Sequence, residues 1–237
     1  MGIHSNERQD KIFSMLESRG RMSVSDLAEY FQVTETTIRR DLITMEENHQ
    51  IVRRRGFAEL PLQATSGLRR RNTFQEEKQR IARKAMELIS YGTTLALDSG
   101  TSVAELVHVL ADEGRDMGID VITPSIQTAS ETCRFFRTSM PGGYVFPDEV
   151  SIGGMSAVRF LEGVTTDIAF LGTTGICNTK GLTVSYPLMM DVKRALLSSA
   201  SKKVALVDSS KFLSRGIYTY CSFRELDTLI TVRTEEN

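Results

Sequence analysis

Along residues 7–19, ERQDKIFSMLESR, the apolar positions Ile12, Met15 and Leu16 fall at i, i+3 and i+4, one face of an amphipathic helix that Gly20 can end. Ser23 with Asp26 three residues on forms an N-terminal capping pattern, and Leu27, Ala28, Tyr30 and Phe31 predict a second, very short helix closed by a turn at Gln32 and Val33. Thr34 then caps a third helix, in which Ile38, Leu42 and Met45 recur at i, i+4 and i+7 and turn one stripe inward. With Ile38 at zero and about 100° per residue, Arg39 lies near ~100°, Thr36 near ~160°, Arg40 near ~200° and Thr37 near ~260°, all away from that stripe. Beyond this helix, Gln50 to Leu60 holds two short strand-like pieces around Arg54 to Gly56, which predict a β-hairpin wing.

Residues 61–75, PLQATSGLRRRNTFQ, break the periodicity with proline, glycine and basic residues, so a linker is expected there, between a first domain over 6–60 and a second over 76–235. The run Arg69 to Arg71 is either solvated linker or a contact to DNA backbone or the neighbouring domain. From Glu76 a helical pattern (Ile81, Ala82, Ala85, Met86, Leu88, Ile89) leads to Gly92. Apolar runs then alternate with helical ones: strands are expected at Thr94 to Leu97, Val121 to Thr123, Ile168 to Gly172, Val204 to Val207 and Thr228 to Val232, with helices at Val103 to Leu110, Ile126 to Phe135 and Leu188 to Ser199. Such alternation predicts an α/β domain with a mainly parallel sheet.

The chain has 237 residues, 41% hydrophobic and 25% charged, enough for a real core and incompatible with a disordered or low-complexity chain. The N-terminus lacks the apolar segment of a signal peptide and no stretch approaches a membrane span, which predicts a cytoplasmic location and no membrane partner. Cys133, Cys177 and Cys221 lack metal-ligand spacing, so they are expected to be reduced, with neither metal nor cofactor. With three histidines and no H-x-x-x-H pair, G-x-S-x-G elbow or P-loop, the common hydrolase and nucleotidase chemistries lose their footing.

Net charge is −1, but eight arginines lie between Arg39 and Arg71 against the four acids Asp41, Glu46, Glu47 and Glu59. A guanidinium fork suits phosphate. A short helix, a tight turn and a helix with threonines and arginines on its outer face match the helix-turn-helix, whose second helix enters the major groove of DNA. The candidate contacts are Thr34, Thr36, Thr37, Arg39 and Arg40, with Arg53, Arg54 and Arg55 at the wing tip. In the second domain, small hydroxylated and glycine residues follow the expected strands: Asp98 to Ser102, Thr123 to Ser125, Gly172 to Gly175 and Asp208 to Lys211. Ligands of parallel sheets bind beyond the carboxyl ends of the strands. Ser99 to Ser102 would open a helix, where free N–H groups favour phosphate; Lys211 supplies a charge, and Asp98 and Asp208 are placed to accept sugar hydroxyls. Met140 to Gly143 and Pro147 to Glu149 read as turns or a lid.

The run Val33-Thr34-Glu35-Thr36-Thr37-Ile38-Arg39-Arg40-Asp41-Leu42 resembles the recognition-helix signature of the DeoR family of bacterial transcriptional regulators. Further on, Asp98 to Ser102, Asp167-x-x-Phe170-Leu171-Gly172-x-x-Gly175, Gly181-x-Thr183, Lys193-Arg194 and Asp208 to Phe212 resemble, in order, the blocks of the DeoR-type sensor domain. The resemblance spans roughly residues 6–232. It implies a winged helix-turn-helix domain followed by an α/β sensor similar in fold to ribose-5-phosphate isomerase and CoA-transferase domains. It also implies a repressor of a sugar-catabolic operon whose hold on double-stranded operator DNA changes when a phosphorylated sugar binds. Position by position, the implied effector contacts are Asp98, Ser99, Gly100, Thr101, Ser102, Gly143, Gly172, Lys193 and Lys211. Lys193 taken alone reads equally as a surface lysine. Two departures stand out: Gly56-Phe57 where the family's wing usually carries Gly-Gly, and Thr123-Pro124-Ser125 where it often has Thr-Asn-Ser. Operator symmetry implies a homo-oligomer, a dimer or tetramer. The alternative is a sugar-phosphate isomerase with an appended DNA-binding domain, for which the strand-end loops offer only Asp98 and Asp208 as a general base.

Overall fold

The computed structural model describes residues 8–9, 11–13, 15–16, 21–48, 51–59, 74–147 and 149–232. The chain divides into two units, residues 1–70 and 71–237. Of the linker expected over 61–75, only Phe74 and Gln75 are described, and Gln75 already opens a helix; Arg69, Arg70 and Arg71 lie outside the described residues, as does Gly20.

In the first unit the described positions between 8 and 16 are helical and bury Ile12 and Leu16. Strand β1 (Arg21–Ser23), helices α1 (Val24–Phe31) and α2 (Glu35–Glu47), and strands β2 (Val52–Arg54) and β3 (Phe57–Glu59) follow. Both expected caps form: Ser23 Oγ accepts from the Asp26 N–H at 3.0 Å and Thr34 Oγ1 from the Thr37 N–H at 3.2 Å. Gln32, at φ 53°, makes the turn between the helices. The stripe of Ile38, Leu42 and Met45 packs with Ile12, Leu16, Leu27, Ile51 and Ala58. The wing closes with the two-residue turn Arg55-Gly56, since Arg54 pairs with Phe57. Only Gly56 needs a positive φ there (84°), so the turn works with Phe57 as the first residue of β3. The periodicity missed β1, which pairs with β3 and makes the wing three-stranded.

The second unit opens with α3 (Gln75–Met86), β4 (Thr94–Leu97), α4 (Thr101–Glu113), β5 (Asp120–Ile122), α5 (Ile126–Thr132) and β6 (Arg137–Ser139). It continues through a hairpin of β7 (Tyr144–Phe146) and β8 (Ser151–Gly153), then α6 (Met155–Glu162), β9 (Thr166–Leu171), β10 (Gly175–Cys177), β11 (Gly181–Val184), α7 (Pro187–Ser198) and β12 (Ala200–Val207). A 3-10 turn (Ser209–Phe212), β13 (Tyr218–Cys221) and β14 (Thr228–Thr231) complete it. All five expected strands are present, β5, β9 and β14 each ending one residue earlier than expected. The sequence pattern did not reveal β6, β7, β8, β10, β11, β13 or α6, and the helix expected over 126–135 stops at Thr132.

The main sheet runs β14-β12-β9-β4-β5-β6, parallel throughout. The chain steps outward from β4 to β6, then returns to the other side of β4 for β9, β12 and β14, so the winding reverses between β4 and β9. Alternate strand residues serve two cores. Leu95, Leu97, Phe170, Val204 and Leu206 meet Ile81, Ala82 and Ala85 of α3 and Val103 to Leu110 of α4. Ala96, Ala169, Leu171, Ala205 and Val207 meet α6, α7 and the small sheet β10-β11-β13.

Candidate functional site

In the first unit, the outer face of α2 carries Thr36, Arg39 and Arg40, all exposed, as the helical angles require. Thr34 and Thr37 already serve the helix start, since besides the cap their hydroxyls lie 3.0 Å apart in a mutual hydrogen bond. Several arginines have local partners. Arg39 donates to Glu35 at 2.8 Å, Arg54 to Glu59 at 2.9 Å, and Arg53 lies 3.4 Å from Glu46. Among the described residues, Arg40 and Arg55 form no ion pair, which leaves their guanidinium groups for an external anion. Arg21, which was not anticipated, stacks over Phe57 with its guanidinium carbon 5.5 Å from the ring centre. Asp41, inside the arginine-rich run, is buried, and Arg8 grips it with two hydrogen bonds at 2.5 and 3.1 Å. Its position three residues after Ile38 puts it on the inward side of α2, a signal the helical angles contained.

In the second unit, the reversal of winding places the carboxyl ends of β4 and β9 side by side, the crevice where α/β sheets bind ligands. Asp98 follows β4 and Gly172 follows β9. The Asp98 carboxylate accepts from the Gly172 N–H at 2.8 Å and from the Lys193 ammonium on α7, and Lys193 donates to the Gly172 carbonyl at 3.0 Å. Tyr220 of β13 donates to the same carbonyl at 2.7 Å, and Lys193 lies 5.3 Å from the centre of its ring. Asp98, Lys193 and Tyr220 are all buried. Burial pushes the Asp98 carboxyl above the usual carboxylate range, against the opposing pull of Lys193 and the Gly172 and Ser99 N–H groups. Tyr220 is raised too, by burial and then by the charge of Asp98, so it stays a neutral donor.

Asp98, expected to accept sugar hydroxyls, therefore accepts from protein donors in this structure, and Lys193 is a buried partner rather than a surface lysine. Gly100 and Gly172 lie where the two loops meet: a Cβ on Gly172 would come within ordinary contact of Ser99 O at 3.5 Å and the Gly100 Cα at 3.7 Å. Thr101 and Ser102 open α4, which has Gly100 at its cap and no side-chain cap bond. Lys211 is half-buried in the 3-10 turn after β12, the strand beside β9. Asp208 caps that turn through Oδ1, accepting from the Ser210 N–H at 3.1 Å. Glu77 of α3, unnoticed in the sequence, accepts from both the N–H and the hydroxyl of Ser209, each at 2.9 Å. Gly143 lies against β8: a Cβ there would lie 2.5 Å from Gly153 O. The Thr123-Pro124-Ser125 loop is pinned to β8, where Ile152 N–H donates to the Pro124 carbonyl at 2.8 Å.

Sequence models of two domain families account for both units. The DeoR-like helix-turn-helix domain matches residues 8–64, and the DeoR C terminal sensor domain matches residues 73–233. The chain belongs to the DeoR family. It is similar to the HTH-type transcriptional repressor GlcR of Bacillus subtilis, 32% identical over 98% of this chain and 90% of that one. The glycerol-3-phosphate regulon repressor of Escherichia coli is 30% identical over 97% of this chain and 91% of its own. Among solved structures, ribose 5-phosphate isomerase A from Methanocaldococcus jannaschii superposes on 59% of this chain and 55% of its own, with 18% identity and a TM-score of 0.45. This DeoR-family chain is a DNA-binding transcriptional regulator and not an isomerase with an added DNA-binding domain. Among the described residues, no helix is long and apolar enough to cross a membrane.

Proposed function

We propose that this DeoR-family regulator represses a sugar-catabolic operon from the cytoplasm and leaves its operator when a phosphorylated sugar binds at the carboxyl edge of the main sheet. The observation that carries this reading is the Asp98–Lys193 pair, buried at the reversal of winding beside Gly172. Around it, α4 begins with backbone N–H groups and no side-chain cap, a setting that favours phosphate. Ser99, Thr101 and Ser102 add hydroxyls, and Lys211 a point charge. On the DNA side, Thr36, Arg39 and Arg40 read the major groove, Thr34 and Thr37 set the start of that helix, and Arg53, Arg54 and Arg55 approach phosphate.

The effector releases DNA only if it prefers an arrangement of the DNA-binding units that does not fit the operator; equal affinity for both arrangements shifts nothing. Such an arrangement requires a homo-oligomer. Leu213 is 93% and Ile217 82% exposed on the loop after β12, an apolar surface that suits a second copy of the chain. Thermal unfolding of the purified protein against phosphorylated sugars and their unphosphorylated parents tests the reading, since a ligand of the native state raises its melting temperature. One phosphorylated sugar should stabilise while its parent does not; no shift with any of them would remove the sensor function from this site.

A further inference from the structure

Residues that face one another across the strands of the wing share a side of its sheet. Met22 pairs with Ala58 and both are buried, so their row faces the core and the positions before and after them face outward. On that outer side Ser23, Phe57 and Arg54 form one row, and Arg21, Glu59 and Val52 the next, farther from the turn. Glu59 sits directly across from Arg21, but its carboxylate is held by Arg54 at 2.9 Å. Arg21 instead reaches along the diagonal, with its guanidinium over the ring of Phe57 beside the turn, and among the described residues it forms no ion pair.

Neither the core nor the turn explains Phe57. It is 42% exposed, it stands outside the core of its unit, and the turn has a positive φ only at Gly56. A cation over an exposed ring adds little to stability. What the stack does is fix the place of a long, flexible side chain, which lowers the entropy lost when that side chain binds. The ring takes up none of the guanidinium N–H groups as hydrogen-bond donors, so the planar fork stays free for an anion.

The wing is also tied to both helices of the motif. The Val24 N–H, first of α1, donates to the Gly56 carbonyl at 3.1 Å, and the Arg53 N–H donates to Glu46 of α2 at 3.0 Å. In a helix-turn-helix the first helix crosses the DNA backbone and the second enters the groove, so the wing tip is anchored beside the backbone.

We propose that Arg21 is a further DNA contact, an arginine of β1 that binds the phosphate backbone flanking the groove entered by α2, with the Phe57 ring as the platform that aims it toward the wing tip. The proposal rests on the reading that α2 enters the major groove, and it extends the interface to the strand before α1. Arg21 is then a binding residue and Phe57 a positioning residue.

The test is fluorescence anisotropy of two labelled duplexes, an operator selected from genomic DNA by binding to the full-length protein and a shuffled duplex of the same composition, at several potassium chloride concentrations. In Arg21→Ala the slope of log Kd against log salt should shrink by about 0.9, the share of one phosphate, which at ~0.1 M salt is a loss of about five- to tenfold on both duplexes. Arg21→Lys should restore the slope. Phe57→Leu should weaken both duplexes by about two- to fivefold, Phe57→Tyr should restore binding, and Phe57→Leu should change nothing further once Arg21 is alanine. All these variants should melt with wild type; if Arg21→Ala does not, Arg21→Gln takes its place with the same expectation. Wild-type affinity in Arg21→Ala, or a loss with the slope unchanged, would overturn the contact, and an equal loss from Phe57→Leu with and without Arg21 would overturn the platform. Arg40→Ala separates the two readings: if it weakens the operator more than the shuffled duplex while Arg21→Ala changes neither, Arg21 falls and the groove reading stands. Binding unchanged in both variants would overturn both.

Discussion

Lys193 on α7 donates to the Asp98 carboxylate at the end of β4, 95 positions earlier in the chain, and both side chains are buried. Taking two charges out of water is costly, and their attraction with the added Gly172 hydrogen bonds offsets that cost only while both partners are present. Lys193→Met should destabilise the second unit by about 3–5 kcal/mol in urea denaturation, and adding Asp98→Asn should recover much of the loss. A single substitution costing less than about 1 kcal/mol would show that the pair is not a closed unit.

The same pair predicts a pH dependence. Asp98 is raised by burial, so over the interval above the usual carboxylate range the folded protein holds a proton that the unfolded chain has released. The contribution of Asp98 to stability is therefore fully present at low pH and is lost as pH rises through its folded value. Unfolding free energies of wild type and Asp98→Asn should diverge across that interval, with wild type losing ground as pH rises. Parallel profiles would place the Asp98 carboxyl at its ordinary value.

In the DNA-binding unit, Asp41 and Arg40 are neighbours with separate roles. Asp41→Ala strands the Arg8 guanidinium in the core and should destabilise that unit by about 3–5 kcal/mol. Arg40→Ala should leave the melting curve unchanged and weaken operator binding by about 1–3 kcal/mol in a footprint titration. Unchanged footprints would remove Arg40 from base contact.

These neighbours also show how far the sequence could be read. The inward stripe of α2, both caps and the five longer or more apolar strands follow from periodicity, because each repeats one rule over several residues. Strands of three residues, such as β1, β7 and β10, carry too few positions for alternation to register. Asp41 and Lys78 were missed for another reason: a charge inside an apolar stripe is ordinarily read as a break in the pattern, yet here both are buried. That the loops after the expected strands would lie at the carboxyl edge of the sheet was legible, but the pairing of Asp98 with Lys193 was not, since only the reversal of winding brings residues so distant in sequence together. Gly143 entered the expected site through resemblance, and its close approach to Gly153 accounts for glycine there without a ligand.

Lys211 tests whether sensing and DNA reading separate. Lys211→Met should keep operator affinity within about twofold of wild type and lose release by the phosphorylated sugar at the concentration that frees wild type; a difference of less than about 0.5 kcal/mol is what surface substitutions usually cause. Preserved release would clear Lys211 from the site.

The most direct test of the central claim is fluorescence anisotropy of a labelled operator, selected from genomic DNA by binding to the full-length protein, titrated with protein in the presence of each phosphorylated sugar and its unphosphorylated parent. The account predicts that one phosphorylated sugar raises the apparent Kd by about 5- to 150-fold, the usual range of coupling between two sites, while its parent leaves it unchanged. Operator affinity that is the same with every sugar phosphate would contradict it.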